Sequence, residues 1–294
     1  MHCLNLKLTY KCTNRCPFCF SKHLSNNEIT LDGLKKAIEI GFSSGCREIV
    51  LSGGEPTIVP EILTSVLTFA ESLGYEKYIL QTNGSGLLSN SKLFDSINAI
   101  AEKKDFYVSF SVHAHTAGLH DFISKSQGAF NKLIAAIRET MLSNCKIYTN
   151  TVVSKYNILY LKHITELLLP FEPLIMQFSM MHLESVSDFS TSLIETSTAI
   201  KHLKKIVPLE VLKTEGIPFC LMYGMESCVG ESFWPDKLDL YNYEDNYMSN
   251  FTQLGSNMRV KRAFCRDCIM NEICMGVWRE NFDEFENLNL HPIN

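Results

Sequence analysis

The order of apolar and amphipathic segments limits the fold of this chain more than any other feature of its sequence. Short apolar segments of strand length alternate with longer segments whose apolar residues recur every three to four positions, as on one face of a helix. The predicted strands are 4–9, 48–52, 78–82, 106–112, 147–153 and 175–181. Strands that alternate with helices form a parallel sheet with right-handed crossovers. Six units are too few for a closed eight-unit barrel, so we predict an α/β fold, a partial (β/α)6 barrel open on one side.

Three cysteines stand close together in the loop that follows the first predicted strand. Cys12, Cys16 and Cys19 fall within eight residues, and Phe18 directly precedes the last of them. Structural zinc is usually bound by four protein ligands, and an ordinary [4Fe–4S] cluster by four cysteines. The trio therefore predicts a cluster with one iron left open for another ligand. A zinc knuckle and incidental core thiols are the alternatives.

Two glycines and a glutamate, Gly53, Gly54 and Glu55, follow the second predicted strand. Glycine has no Cβ, so its backbone can approach a ligand closely, and a carboxylate can accept a hydrogen bond or form a salt bridge. A glycine pair after a strand is usually only a turn. Active sites of parallel α/β sheets, however, lie at the carboxyl ends of the strands. Both this stretch and the cysteine trio stand there in the predicted sheet.

Together these motifs resemble the signature of the radical S-adenosylmethionine (SAM) enzymes. The resemblance implies that the cysteine trio holds a [4Fe–4S] cluster whose open iron is chelated by the amino and carboxylate groups of SAM. The cofactor-binding residues that it implies are Phe18, Gly53, Gly54, Glu55, Asn83, Ser111 and Asn150. For the last three, strand-end turn chemistry is the alternative. Relatives carry aspartate and glycine where this chain has His113-Ala114, so the role of that aspartate is not transferred.

Five of the eleven cysteines lie in the last third of the chain. Cys220 is followed by Cys265, Cys268 and Cys274 in a C-x2-C-x5-C pattern, which resembles the auxiliary-cluster extensions of radical SAM enzymes called SPASM and twitch domains. The resemblance implies one further [4Fe–4S] cluster on these four cysteines, with Cys228 as a competitor for one place. Structural zinc is the alternative. The isolated cysteines Cys3, Cys46 and Cys145 are interpreted as small buried hydrophobic residues.

These patterns predict a radical SAM partial barrel over 1–185, a linker helix over 186–207 and a small cysteine-rich Fe–S domain over 208–294. A short strand is predicted over 209–212, near the beginning of that last domain. The tyrosine-rich stretch 234–257 has no clean period and is predicted to form a long excursion within that last domain. His113, His115 and His120 could suggest a metal site. We favour a structural or solvent-exposed role for them.

Charge and composition exclude several classes of partner. The chain has 27 Lys and Arg against 32 Asp and Glu, a net charge of −5, which argues against nucleic acid as the main partner. We see no signal peptide and no stretch of membrane-spanning length, so no membrane partner is expected. Eleven cysteines without an export signal point to a cytoplasmic location and to metal ligands rather than disulfides.

The resemblance implies a function in three steps. A reductant such as flavodoxin or ferredoxin supplies an electron, SAM is cleaved reductively to a 5′-deoxyadenosyl radical, and the radical abstracts hydrogen from a substrate. A ribosomal peptide or protein side chain is the first choice of substrate, although no extra leader-gripping domain is seen at the N-terminus. A small molecule such as an aminocyclitol or nucleoside is the alternative. We expect an apolar barrel interior, since a dry site limits loss of the radical. A non-catalytic Fe–S or zinc protein is a remote alternative, against which Gly53-Gly54-Glu55 argues.

Overall fold

Seven parallel strands lie in one sheet in the order of the sequence. The structure, a computed structural model, describes residues 2–19, 29–182, 187–230, 240–244, 247–250 and 258–293. The strands are β1 (His2–Thr9), β2 (Cys46–Gly53), β3 (Lys77–Thr82), β4 (Asp105–Ser111), β5 (Lys146–Val152), β6 (Ile175–Ser179) and β7 (Leu212–Glu215). Each pairs in parallel with the next. The predicted partial barrel is confirmed, and β7, which was predicted outside the barrel, adds a seventh strand to its sheet.

The helices of the described residues occupy the segments between the strands and the C-terminal part. They are α1 (Leu31–Ser43), α2 (Pro60–Leu73), α3 (Ser91–Ala101), α4 (Ala117–Ser124), α5 (Ala129–Met141), α6 (Leu161–Leu168), α7 (Leu193–His202) and α8 (Phe282–Asn287). Several begin at a capping side chain. Thr30 Oγ1 accepts a hydrogen bond from the N–H of Gly33 at 3.2 Å, and Asn90 Oδ1 accepts one from Leu93 at 3.1 Å.

The two faces of the sheet have different surroundings. Because consecutive strands are neighbours and crossovers are right-handed, the connecting helices lie on one face. On that face, strand residues such as Leu51 and Leu80 share a core with helix residues such as Leu34 and Leu67. The alternate strand residues point to the other face, which lines the open side of the barrel.

The segment after β6 differs from its prediction in two places. The linker helix predicted over 186–207 is shorter: α7 begins after Ser192, whose hydroxyl forms a capping box with Glu195, and residues 183–186 lie outside the described residues. The short strand predicted over 209–212 is displaced to β7, because the N–H groups of Val211 and Leu212 both bond the carbonyl of Pro208 in a turn. The domain limits themselves stay predictions.

The tyrosine-rich stretch also differs from its prediction. Two of its segments, β8 (Leu240–Glu244) and β9 (Tyr247–Asn250), extend the barrel sheet beside β1. Strand β8 pairs in parallel with β1, and β9 pairs antiparallel with β8. The prediction of an excursion confined to the last domain is therefore wrong for these residues. The rest of the stretch, 234–239, 245–246 and 251–257, lies outside the described residues.

The C-terminal part is built from small elements. Strand β10 (Arg259–Val260) pairs antiparallel with β11 (Val277–Trp278), and α8 follows. A Cβ on Gly216, directly after β7, would lie 2.6 Å from the indole nitrogen of Trp278, so β11 packs closely against the end of the barrel sheet. Across the described parts of the chain, no helix is both long enough and apolar enough to cross a membrane.

Candidate active site

The predicted cysteine trio lies on the loop that leaves the carboxyl end of β1. Cys12 is exposed, and Cys16 and Cys19 are half-buried. The N–H of Asn14 donates to Cys12 Sγ at 3.4 Å, and the N–H of Cys19 donates to the carbonyl of Cys16 at 3.1 Å. Burial, together with the neighbouring thiols of Cys19 and Cys12, raises the pKa of Cys16 to about 12. The three thiols are thus close enough to interact, and a metal centre would displace their protons on binding.

Gly53, the last residue of β2, and Gly54 lie beside the beginning of the cysteine loop. The N–H of Gly54 donates to the carbonyl of Thr9 at 2.6 Å, and the N–H of Glu55 donates to that of Lys11 at 2.8 Å. Gly53 has a φ of 131°, in a region that favours glycine. A Cβ on Gly53 or Gly54 would collide with the carbonyl oxygens of Thr9 or Lys11 respectively. Because neither glycine has a side chain, the end of β2 can lie against the cysteine loop and form backbone hydrogen bonds with it.

The Glu55 carboxylate is fully buried and bonded to protein groups. Its Oε1 accepts hydrogen bonds from the hydroxyls of Thr57 and Thr82, each at 2.6 Å. Its Oε2 accepts one from the N–H of Asn83, also at 2.6 Å. Burial raises the pKa of the Glu55 carboxyl, and the donated hydrogen bonds lower it. In the structure Glu55 acts on the site by joining the ends of β2 and β3, a role that the sequence did not indicate.

Asn83, the residue after β3, holds the other side of the cysteine loop. Its Nδ2 donates to Thr13 Oγ1 at 3.0 Å and lies 3.5 Å from Cys12 Sγ. Its Oδ1 accepts from the N–H of Ser85 at 2.9 Å, and the hydroxyls of Ser85 and Thr13 lie 2.6 Å apart. Asn83, predicted as a cofactor contact, therefore supports the loop that carries the thiols.

The end of α4 and a buried histidine complete the surroundings of the loop. The carbonyl of Ser124 accepts a hydrogen bond from the N–H of Arg15 at 2.8 Å. The ring of Phe18 packs edge-on against His113, with centroids 5.1 Å apart. Burial lowers the pKa of His113 to about 3, so the imidazole is neutral at physiological pH. His113 in turn stacks on the buried ring of His120, with centroids 5.9 Å apart.

The histidine run does not form one site. His115 stacks on His163 with centroids 5.0 Å apart, away from the His113–His120 pair. Within the described segments, no three His, Cys, Asp or Glu side chains are arranged to hold a single metal ion. The thiols of a [4Fe–4S] cluster bind different irons, so a cluster does not require that they converge on one ion.

A row of polar side chains crosses the open face of the sheet. Ser111 and Asn150, predicted to contact the cofactor, are paired across β4 and β5. Ser179 Oγ lies 2.8 Å from Asn150 Oδ1 and 2.9 Å from Glu215 Oε2. Gln177 Nε2 donates to Glu215 Oε2 at 3.0 Å. We call Asn150, Gln177, Ser179 and Glu215 the polar row.

The prediction of an apolar barrel interior is wrong for this face. Apolar strand residues point to the helices, so the alternate positions, which line the open side, carry the polar row. Sequence reasoning missed Gln177, Ser179 and Glu215. Glu215 ends β7, whose bounds were predicted three residues too early.

Comparison with known proteins shows the family to which the chain belongs. The family model of the Radical SAM superfamily matches residues 6–168, more than half of the chain. This chain belongs to the Radical SAM superfamily. Its members are enzymes, and the fold implies a [4Fe–4S] cluster and SAM. The three thiols on one loop fit such a group, because they leave one of four irons without a protein ligand.

Several curated radical SAM proteins are similar in sequence. An AdoMet-dependent heme synthase of Methanosarcina barkeri is 28% identical over 155 residues, which cover 52% of this chain and 42% of that protein. A GTP 3′,8-cyclase of Clostridium perfringens is 26% identical over 155 residues, covering 51% and 46%. A PqqA peptide cyclase of Bradyrhizobium diazoefficiens is 25% identical over 167 residues, covering 55% and 42%. The matched part of this chain thus spans less than half the length of these relatives.

Solved radical SAM structures share the fold over almost the whole chain. Streptococcus suis SuiB bound to the precursor peptide SuiA has a TM-score of 0.72 at 15% identity, covering 99% of this chain and 74% of that chain. Native anSMEcpe with bound AdoMet and Cp18Cys peptide has a TM-score of 0.66 at 14% identity, covering 99% and 92%. At such identities the likeness shows the fold.

Four cysteines of this radical SAM protein also come together in its C-terminal part. Cys220, Cys265, Cys268 and Cys274 line one cavity with apolar neighbours such as Phe264. Burial and the three other thiols raise the pKa of Cys220 to about 12. Four thiols match the ligand number of a closed [4Fe–4S] cluster and also of structural zinc.

The fifth C-terminal cysteine lies elsewhere. Cys228 is fully buried, its Sγ lies 3.6 Å from the carbonyl oxygen of Leu209, and it does not line the cavity of the other four. The isolated cysteines Cys3, Cys46 and Cys145 are buried as predicted.

Proposed function

We propose that Cys12, Cys16 and Cys19 hold a [4Fe–4S] cluster and that SAM binds at its open iron. When bound, this group supplies an electron to the sulfonium of SAM, which yields methionine and a 5′-deoxyadenosyl radical that abstracts hydrogen from a substrate. The observation that carries the proposal is the double support of the cysteine loop, by the backbone N–H groups of Gly54 and Glu55 on one side and by the Asn83 side chain on the other.

In this proposal the surrounding residues position the loop and the cofactor. The backbone of Gly53 and Gly54 comes close to the loop and offers polar groups to the amino end of SAM. Glu55 keeps Asn83 in place through its buried hydrogen bond. Ser111 and Asn150, which are paired on the open face, would contact the nucleoside, and Phe18 would contribute an apolar wall beside His113.

We propose a ribosomal peptide or a protein side chain as the substrate class. The support is that the whole chain, including its C-terminal part, shares its fold with SuiB and anSMEcpe, whose structures contain bound peptides. The open face would then receive an extended chain segment, with Gln177, Ser179 and Glu215 contributing hydrogen-bonding groups. Oxidation of such a segment releases an electron that must pass to another group.

A second cluster would provide that acceptor. We propose that Cys220, Cys265, Cys268 and Cys274 hold an auxiliary [4Fe–4S] cluster, as in SPASM and twitch domains, because the four thiols line one cavity. With all four irons ligated by protein, its role would be electron transfer or structural support. We further propose a flavodoxin or ferredoxin as the reductant and a cytoplasmic location for the protein. All eleven cysteines are free, which supports the cytoplasmic location.

A small-molecule substrate is the second candidate. It is favoured by the sequence similarity to GTP 3′,8-cyclase over 155 residues. The polar row fits a small polar substrate such as an aminocyclitol or nucleoside as well as it fits a peptide backbone.

The test is anaerobic reconstitution with iron and sulfide, followed by SAM cleavage with dithionite as reductant. Formation of 5′-deoxyadenosine and methionine supports the proposed chemistry, and their absence contradicts it. Peptides encoded beside the gene are then compared with GTP and aminocyclitols. A mass change in a peptide supports the first substrate class. Turnover of a small molecule, with no change in any peptide, would establish the second.

A further inference from the structure

A surface patch of basic side chains, backed by aromatic rings, adjoins the cysteine loop. The contact runs through Ser124, the last residue of α4, whose carbonyl oxygen accepts from the N–H of Arg15 and lies 4.0 Å from Cys16 Sγ. Lys125, directly after it, has a φ of 53° and ends the helix. The chain turn at Lys125 therefore places a surface side chain next to a thiol of the proposed cluster.

Three aromatic rings form the centre of the patch. Phe122 is 43% exposed at the surface. Its ring packs edge-on against Tyr156 with centroids 5.0 Å apart, and Tyr156 lies 4.7 Å from the ring of Phe189. The ammonium of Lys125 lies 4.2 Å from the Phe122 centroid, and that of Lys155 lies 5.3 Å from the Tyr156 centroid. We call Arg15, Phe122, Lys125, Lys155, Tyr156 and Phe189 the aromatic–cation patch.

The patch is positive on a chain that is negative as a whole. Arg15, Lys125 and Lys155 are all exposed, whereas the chain carries a net charge of −5. Asp188 is the exposed acid next to Phe189. Asp121 is turned inward, since its carboxylate accepts from the N–H groups of Gly128 and Phe130 at 2.6 and 2.9 Å. Among the described residues of this surface, three exposed cations against one exposed acid leave a local excess of positive charge beside the cysteine loop.

We propose that the aromatic–cation patch is the docking surface for an acidic one-electron carrier protein. Of its members Phe122 and Arg15 are exposed, Tyr156 is half-buried and Phe189 is buried beneath them. Aromatic residues and arginine carry much of the binding energy in protein interfaces. Local positive charge attracts an acidic partner that the rest of the surface repels. The partner would be oxidised by one electron and the cluster at Cys12, Cys16 and Cys19 reduced by one. This docking proposal rests on the proposed function, because it requires a cluster at that loop.

The experiment compares two reductants on the reconstituted protein. Dithionite is a small anion that needs no docking surface, whereas enzymatically reduced flavodoxin must bind. The test variant carries Lys125→Glu and Lys155→Glu. The control variant carries Lys103→Glu and Lys104→Glu, which change the net charge equally just before β4, at the opposite end of the sheet. SAM cleavage is measured with each reductant at low and at high salt.

We expect the flavodoxin-supported rate of the test variant to fall about tenfold at low salt, and that of the control to change less than about twofold. The dithionite-supported rate should be the same in all three proteins. The wild-type rate with flavodoxin should fall as salt rises, and the test variant should lose that dependence. Phe122→Ala should raise the flavodoxin concentration needed for half-maximal rate several-fold, because it removes an aromatic contact.

Equal flavodoxin-supported rates in the wild type and the test variant would overturn the docking proposal, as would an equal loss in the control. Both outcomes leave the proposed function standing as long as dithionite supports cleavage. If dithionite supports no SAM cleavage in the wild type, the proposed function is wrong and the docking proposal fails with it.

Discussion

The two cysteine groups are held by the chain in different ways. Cys12, Cys16 and Cys19 fall within eight residues on one loop, and that loop is bonded to the ends of β2, β3 and α4. The C-terminal group joins Cys220, in the turn after β7, to three cysteines in the distant segment 265–274. That segment consists of short turns between the two-residue strands β10 and β11.

The fold positions the first cysteine group, whereas a metal centre bound by the second group can help the fold to form. The sheet sets the geometry of the first group, so the barrel does not depend on a metal there. In the second group, a metal centre would link two segments that are far apart in sequence, and its binding free energy would contribute to folding. We therefore expect loss of the first group to abolish chemistry and loss of the second to loosen structure.

Replacing Cys12, Cys16 and Cys19 together by Ala should have the largest effect. SAM cleavage should be abolished, and the iron content should fall from about eight to about four per chain, as expected for loss of one of two [4Fe–4S] clusters. The melting temperature should change by only a few degrees, because the loop is held by backbone hydrogen bonds. Iron analysis, product chromatography and calorimetry measure these. Full retention of iron would contradict the ligand assignment, and a collapse of stability would contradict the comparison.

Glu55→Ala tests how strongly the fold supports the first cysteine group. The change leaves the buried donors of Thr57, Thr82 and Asn83 without their acceptor, so we expect unfolding to require about 3 kcal/mol less. SAM affinity should fall about tenfold to a hundredfold, because Asn83 loses its support, while both iron sites stay filled. Denaturant titration and calorimetric SAM binding measure the two effects. The matched control is Glu61→Ala, on the exposed first turn of α2. An unchanged SAM affinity would show that Gly53-Gly54-Glu55 is an ordinary turn.

Cys274→Ala and Cys228→Ala test the second group against each other. Cys274 lines the shared cavity and Cys228 does not, so only Cys274→Ala should lower the iron content and perturb the electron paramagnetic resonance of the reduced auxiliary cluster. Cys274→Ala should also speed amide hydrogen exchange in the C-terminal part. Cys228→Ala should cost about 1–2 kcal/mol of stability through a small buried cavity and keep all iron. The reverse pattern of iron loss would show that Cys228 is the ligand.

Glu215→Gln should give the smallest effect. The amide keeps the shape of the side chain but loses the charge that strengthens its hydrogen bonds to Ser179 and Gln177. We expect SAM cleavage without substrate to be unchanged and product formation with substrate to fall about fivefold to tenfold. Glu210→Gln, in the exposed turn before β7, is the control. An equal loss of product formation in both variants, or a loss of SAM cleavage without substrate, would contradict a role of Glu215 in contacting the substrate.

Local sequence patterns predicted the barrel and the cysteine loop because both depend on residues that are near one another in the chain. The six strands follow from apolar alternation, and the trio from its spacing. The hydrogen bonds of Glu55 to Thr82 and Asn83 could not be predicted from local sequence, since these residues lie at the end of another strand. The bounds of β7 depend on a turn that begins at Pro208. The gathering of Cys220 with segment 265–274 is also a tertiary contact, which spacing alone could not distinguish from one that includes Cys228.

The pairing of β8 with β1 has a consequence for synthesis of the protein on the ribosome. Strand β1 emerges first, and its Cys3 pairs with Leu240 of β8. At about 5–20 residues per second, the edge of β1 that receives β8 stays open for roughly 10–50 s of translation. An open strand edge offers unpaired N–H and C=O groups to other nascent chains. Among the strands β1–β6, the strand that leads into the cysteine loop thus waits longest for its second neighbour.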